Sequence, residues 1–372
     1  MMTEDLRSAV DGRPDEPVDW ESERRWNDRS RGKKAAAGGA VPGQTRDHTV
    51  PQMYLRGFAQ HQGRRQYMLA VRRLTDLMNP FPATPPNVLA IKGFYWGTTR
   101  DGEPHHALEE VFIQIEGDAA PGFRMILEAP EGALPAQWPL PEKARIRLAW
   151  WVAAQILRTT RQRKRLTHTI PASEKLDAPV DVARLAANNH HLQYIVEQLA
   201  GLAFVIYSRP WGVGFSDVCL MTSDVPVMLF NGQDANDQLG ASTVCDIFLP
   251  LDSHRFLLLP SPAKQSEDRR KRSDHRLKMS GGLGLAFNQI IYDAADAYLV
   301  HHPQHDPFKL WQPHDGPRLP RPWDAIDHPA PSYAFSYGTL PELATVERRW
   351  LTEHPHLQRA LARQATTKSD AR

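Results

Sequence analysis

Cysteine is nearly absent: Cys219 and Cys245 are the only two in 372 residues. That excludes a disulfide framework, and the lack of any CxxC pair or HExxH run removes the common zinc patterns despite 16 histidines. Both cysteines lie in apolar runs read as strands, where a small buried thiol is ordinary. Net charge is equally scarce, with 45 Lys and Arg against 43 Asp and Glu. The global positive field of many nucleic-acid binders is therefore excluded, while a local basic patch is not. Long apolar runs are also missing. The densest, over 146–157, is interrupted by Arg147 and Gln155 and falls short of the ~20 apolar residues that span a bilayer. The first 47 residues hold no apolar signal-peptide core. These absences lead to the expectation of a cytoplasmic chain with no membrane partner.

What is present suffices for a sizeable core: 41% hydrophobic and 9% aromatic residues. Residues 1–44 mix acids, arginines and glycines without apolar periodicity and are expected to form a disordered arm. A core domain is expected over 45–302. A Pro-rich wrap and a terminal helix near 340–364 would fill 303–372 and offer a surface to a protein partner. Within the core, Thr49-Val-Pro51-Gln52 has the form of a capping box opening a short helix. A strand is expected at 66–74 and a Pro-rich connector at 79–87. Apolar residues at three- and four-residue steps predict a helix over 106–128. A second, apolar nearly all round, is expected over 142–165 and a third over 180–200. Strands are expected at 202–207, 218–222, 225–230, 244–249 and 255–259, then a helix over 282–300. Such segregation predicts an α+β fold, an antiparallel helical bundle packed against a small, mostly antiparallel sheet.

The chemistry-bearing residues start with His48-Thr-Val-Pro51-Gln52-Met-Tyr54-Leu55-Arg56-Gly-Phe58. Further on come Glu116, the pair Gln155-Ile-Leu-Arg158, the run Ser223-Asp224-Val225-Pro226-Val227, and Asn288 in Phe287-Asn288-Gln289. In this order and over roughly 46–300, the chain resembles the uncharacterised "domain of unknown function 4238" family. That family opens on His-x-x-Pro-x-x-aromatic-Leu-Arg and carries the Gln-x-x-Arg and Ser-Asp-x-Pro-Val elements. The resemblance implies positions for a site and no activity.

Each position has a bland and a functional reading. His48 either contacts local backbone or serves as a general base. Arg56 either snorkels or offers a donor fork to a phosphate. Glu116 lies on the shoulder of its helix's apolar stripe, with Glu109 seven residues earlier on the same face. It is suited to a metal, to acid–base work or to a salt bridge. Gln155 and Arg158 share one face of the most apolar helix, where burying an amide and a guanidinium is costly unless both are satisfied. A Glu116–Arg158 ion pair is the bland version. Ser223 and Asp224 either build a turn or present groups above the sheet. The pairs His105-His106 and His190-His191 and the run His301-His302-x-x-His305 are set aside, because none shows the usual helical spacing with an acid.

The functional reading is an enzyme. His48, Glu116 and Asp224 would be catalytic, with Glu116 and Asp224 holding Mg2+ or Mn2+. Arg56, Gln155, Arg158, Ser223 and Asn288 would bind substrate. This composition suits a metal-assisted phosphodiester hydrolase acting on nucleic acid or a nucleotide. Two alternatives stay open: a non-catalytic protein that binds or senses a small anion, and a structural interaction protein with buried ion pairs.

Overall fold

The structure is a computed structural model that describes residues 45–63, 66–99, 103–129, 135–167, 188–230, 246–260, 275–279 and 281–314, together with Gly43 and Arg318. The expected N-terminal arm (apart from Gly43) and the terminal helix near 340–364 lie outside the described residues.

Helix α1 is Gln52–Leu55. It precedes α2 (Ala107–Leu127), α3 (Glu142–Leu157), α4 (Thr160–Thr167), α5 (Asn189–Ser208) and α6 (Gly281–Ala294). The 3/4 spacing of Leu108, Val111, Phe112, Ile115, Ala119, Phe123 and Ile126 puts one face of α2 in the core. Glu109 and Glu110 lie in its first turn, where the helix dipole favours acids. Helix α3 is buried on nearly every face because α2 packs on one side and α5 on another. At the α2–α3 contact, a Cβ on Gly122 would lie 2.8 Å from the Leu148 side chain, so a glycine there permits the approach.

Fourteen strands among the described residues build four sheets. The short pair β1 (Arg46–His48) and β5 (Ala90–Lys92) is antiparallel, as is the pair β6 (Gly97–Thr98) and β7 (Pro104–His105). One five-stranded sheet runs β2 (Gln60–His61), β3 (Tyr67–Arg73), β14 (Tyr298–His301), β9 (Thr222–Ser223), with β4 (Asp76–Ala83) on β3. The other orders β10 (Met228–Phe230), β11 (Asp246–Pro250), β12 (Arg255–Leu259), β8 (Gly212–Ser216) and β13 (His275–Met279). Only the β8–β13 pair is parallel. The main core joins the helices to both larger sheets around fully buried Trp151, Trp211, Phe58 and Phe112. A second, smaller core lies under α6, around Phe248, Phe256 and Phe287. The architecture is α+β, with helices and small, mostly antiparallel sheets. No helix among the described residues is long and apolar enough to cross a membrane.

Five elements differ from the sequence-based expectation. The helix expected over 142–165 breaks at Arg158 (φ −90°, ψ 18°). The Thr159 hydroxyl then accepts the Gln162 N–H at 3.2 Å and starts α4. The run 202–207 is no strand but the end of α5, burying Leu199, Leu202, Ala203 and Ile206 at helical steps. A short apolar run does not distinguish the two by period alone. Residues 76–83 are strand β4, and Pro80 and Pro82 are tolerated because that strand pairs with β3 alone. The helix over 282–300 stops at Ala294, and its last residues turn into β14. The capping box does not form. The Thr49 amide and hydroxyl both donate to the Leu89 carbonyl, at 3.0 and 3.1 Å, and Pro51 is the N-cap of α1.

Candidate functional site

Strand alternation in β1 sends adjacent side chains to opposite faces. Asp47 points inward and is buried. Its Oδ1 accepts from Thr45 Oγ1 at 3.0 Å and faces His106 Nε2 at 3.1 Å. Its Oδ2 accepts the Tyr95 N–H at 2.8 Å. His106 is the residue before α2, and its ring stacks on Trp96 with centroids 4.8 Å apart. One helical turn later comes Glu109. Asp47, His106 and Glu109 each offer a ligand atom, all within 4.8 Å of one another.

Two further turns along α2, Glu116 Oε1 accepts from Arg158 Nη1 at 2.8 Å. Gln155 Oε1 accepts from Arg158 Nε and Nη2, at 3.2 and 3.1 Å. The guanidinium lies 4.8 Å from the centroid of the Phe112 ring. The break after α3 is what turns Arg158 into this position. Arg158 is 1% exposed and Glu116 27% exposed, so the pair opens to solvent on the carboxylate side. Tyr95, fully buried between Asp47 and Arg158, donates its hydroxyl to the His48 carbonyl at 3.1 Å. Behind it, Arg163 packs over the Phe94 ring and donates to His191 Nδ1 at 3.1 Å. His191 Nε2 in turn meets the Leu157 carbonyl at 2.9 Å. Burial lowers Arg163 to about 10, so it stays cationic.

The electrostatics centre on Glu109. Burial, then the Glu116 and Asp47 carboxylates, push its pKa up to about 7. Arg158 moves the other way. Burial alone would lower it, but Tyr95, Glu116 and Glu109 hold it above its ordinary value. An acid poised near neutrality, beside two further carboxylates and a histidine, is an arrangement suited to taking up a proton or a metal ion.

Among the residues expected from sequence, Glu116, Gln155 and Arg158 are brought together. The others lie elsewhere. The His48 ring faces away from Asp47, toward the Pro86 carbonyl and Gln52 Nε2, each at 3.3 Å. Arg56 lies over the Tyr67 ring at 5.1 Å, and burial lowers it to about 10. Ser223 Oγ closes a turn on Val225, donating to its carbonyl at 2.9 Å and accepting its N–H at 3.1 Å. Asp224 accepts three backbone N–H groups, from Asp296 at 2.8 Å, Ala297 at 2.7 Å and Tyr298 at 3.2 Å. Burial pushes Asp224 up to about 6 against these donors. Asn288 accepts the Met221 N–H at 3.2 Å and donates to the Cys219 carbonyl at 2.9 Å. Glu116 and Asp224 share no metal-ligand grouping among the described residues. Asp224 and Asn288 tie the β9 turn to its neighbours. Tyr54 of the opening motif does the same, bonding Thr222 Oγ1 at 2.8 Å and the Pro250 carbonyl at 2.7 Å.

The sequence pattern does not single out Asp47, Tyr95 or Arg163, and it leaves His106 and His191 among the histidine pairs that are set aside. Two signals were there to be used. If His48 begins the motif on a strand, its neighbour Asp47 must face the other side. His106 and Glu109 pair a histidine with an acid at a three-residue spacing.

Outside this cluster, Cys219 Sγ lies 3.9 Å from His254 Nε2 and 3.7 Å from His305 Nδ1. Burial would raise the thiol's pKa, but hydrogen bonds to the two imidazoles bring it down to about 7.

Fold and site together define an α+β protein with a buried carboxylate–histidine–arginine centre where β1 meets the bundle. The sequence pattern of the proteins of unknown function DUF4238 matches residues 46–305, and the chain belongs to that family. No curated protein and no solved structure gives a significant match.

Proposed function

We propose that Asp47, His106 and Glu109 hold a divalent cation, Mg2+ or Mn2+, and that the protein is a metal-assisted phosphodiester hydrolase acting on nucleic acid or a nucleotide. The observation that carries this reading is the donor geometry. Cis ligands around an octahedral ion at ~2.1 Å are about 3.0 Å apart, and Asp47 Oδ1 and His106 Nε2 are 3.1 Å apart with Glu109 in reach. The bound ion would polarise a phosphoryl oxygen and lower the pKa of a bound water. Glu116 is the base suited to receive that water's proton. One of its oxygens is held by Arg158 and the side chain is partly exposed. Arg158, itself bonded to Glu116 and Gln155, is a positioning residue that holds Glu116 Oε1 in place.

A structural reading has its own support, since the Glu116–Arg158–Gln155 set is mutually satisfied and ties α2 to α3. An activity assay separates the two. With Mn2+, the full chain is expected to hydrolyse an activated phosphodiester such as bis(p-nitrophenyl) phosphate. Asp47→Asn and Glu116→Gln should each reduce the rate at least ~100-fold, on the scale of losing a general base, while remaining folded by circular dichroism. Unchanged turnover in both variants, or none by the parent on this ester or on DNA and RNA oligonucleotides, removes the hydrolase reading.

A further inference from the structure

Three segments far apart in sequence converge beside the smaller core. The loop between β8 and β9 brings Cys219, the turn between β11 and β12 brings His254, and the segment after β14 brings His305. Their donor atoms form a closed triangle. Cys219 Sγ to His254 Nε2 is 3.9 Å, Cys219 Sγ to His305 Nδ1 is 3.7 Å, and His254 Nε2 to His305 Nδ1 is 3.2 Å. A tetrahedral zinc ion with Zn–S ≈ 2.3 Å and Zn–N ≈ 2.0–2.1 Å sets S···N edges of about 3.6 Å and an N···N edge of about 3.3 Å. The triangle matches those edges to within a few tenths of an ångström.

The surroundings fit a metal ligand set as well. His254 directs its other ring nitrogen, Nδ1, to the Ser216 carbonyl at 3.1 Å. Such a bond fixes the tautomer, leaving Nε2 as a lone-pair donor toward the triangle. The turn that carries His254 is itself held, because Asp252 Oδ1 accepts the His254 and Arg255 N–H groups at 2.8 and 2.7 Å. The carbonyl of Cys219 accepts from buried Asn288 at 2.9 Å, which fixes the thiol's backbone from below. The His302 ring packs against His305 with centroids 4.8 Å apart. Cys219, His254 and His305 are all half-buried, so an ion has a path in from solvent. One thiolate and two imidazoles select a soft transition ion over Mg2+ or Mn2+.

We propose that Cys219, His254 and His305 form a zinc site, distinct from the Asp47–His106–Glu109 cluster and independent of the hydrolase reading. Binding replaces the Cys219 thiol proton, which leaves to solvent, with a Zn–S bond, and the two histidines donate their lone pairs. Among the described residues no fourth His, Cys, Asp or Glu joins the group. The fourth position therefore goes to water, as in sites with three protein ligands. The ion ties the ends of the two larger sheets together through three otherwise separate segments.

The test uses the full chain, stripped with a chelator and titrated with Co2+, whose spectrum reports thiolate ligation, and then with Zn2+. One Co2+ per chain should give a thiolate-to-cobalt charge-transfer band that Zn2+ bleaches. Cys219→Ser should abolish the band, His305→Gln should weaken Zn2+ binding at least ~10-fold, and Cys245→Ser should leave both unchanged. Alkylation with iodoacetamide, read by mass spectrometry, covers the event that a variant misfolds: Zn2+ should protect Cys219 in the unmodified sequence. The proposal is overturned if no charge-transfer band forms, if the band survives in Cys219→Ser, or if saturating Zn2+ leaves Cys219 alkylation unslowed. That last result would instead make Cys219 a reactive thiol served by His254.

Discussion

Asp224 and Glu109 are two buried carboxyls, both pushed upward by burial, to about 6 and about 7. They differ in what their oxygens do. Asp224 spends both on three backbone N–H groups at the start of β14. Around Glu109 burial is joined by like charge from the Glu116 and Asp47 carboxylates, with His106 and Arg158 opposing both. A carboxylate whose lone pairs are used by backbone donors is a structural staple. One held among carboxylates and a histidine has binding capacity left for a proton or a metal ion. The sequence motif containing Asp224 marks the first kind of site, and the residues that frame Glu109 mark the second.

Four substitutions test that contrast. The largest effect is expected for Asp224→Ala, which leaves three backbone N–H groups without an acceptor at about 1 kcal/mol or more each. Urea unfolding should show a loss of about 3 kcal/mol, and a loss under ~1 kcal/mol would remove the staple. Next is Glu109→Gln, with the opposite sign. The folded pKa of Glu109 lies above its ordinary 4.5, so the folded chain holds a proton that the unfolded chain has released. Stability therefore falls as pH rises from about 4.5 through about 7, then levels off. In a chelator at pH 8 the Gln variant should be about 2 kcal/mol more stable than the parent, after discounting for residual solvent. Below pH 4.5 the two should converge. Parallel pH profiles would show that Glu109 is not under this pressure.

Glu116→Gln keeps an acceptor for Arg158 but removes its charge partner. A stability loss of about 1 kcal/mol is expected from denaturant melts. The smallest effect belongs to His48→Ala. Its ring faces Gln52 and the Pro86 carbonyl, so calorimetry should find Mn2+ affinity within about twofold of the parent. A tenfold loss would place His48 in the site after all.

Much of the fold was legible from residue pattern. Helix α2 was readable because seven apolar residues keep the helical step across a stretch bounded by polar turns. Strand β3 and the antiparallel strands β11 and β12 followed from short apolar runs between turn signals. The end of α5 was misread because 202–207 is apolar and short, and its helical continuity depends on packing against α3. Strand β4 hid behind its prolines, whose cost is removed only by its place at a sheet edge. The two glycines of β8 masked a strand in which Gly214 is required by the Phe256 ring, 2.0 Å from where its Cβ would be.

The costly burial of Gln155 and Arg158 is offset by their bonds to each other and to Glu116, the ion pair that the sequence offers as the bland reading of these residues. Buried polarity alone does not separate side chains bonded to other side chains from those bonded to backbone. Ser223, Asp224 and Asn288 look the same in sequence as Glu116, and only their backbone partners reveal the difference. Asp47 was overlooked because the motif was read from His48 onward, and a single inward acid carries no period of its own. Cys219, His254 and His305 are 35 and 51 residues apart, so no local spacing rule joins them.

The proposed site for a hard divalent ion is the acid–histidine cluster and not the Asp224 turn. Titration of Mn2+ into the full chain at pH 8, followed calorimetrically, tests it directly. One Mn2+ per chain is expected, with affinity reduced at least ~10-fold by Asp47→Asn and unaffected by Asn288→Ala among molecules that remain folded. Equal binding by the parent and Asp47→Asn, or no binding by either, contradicts it.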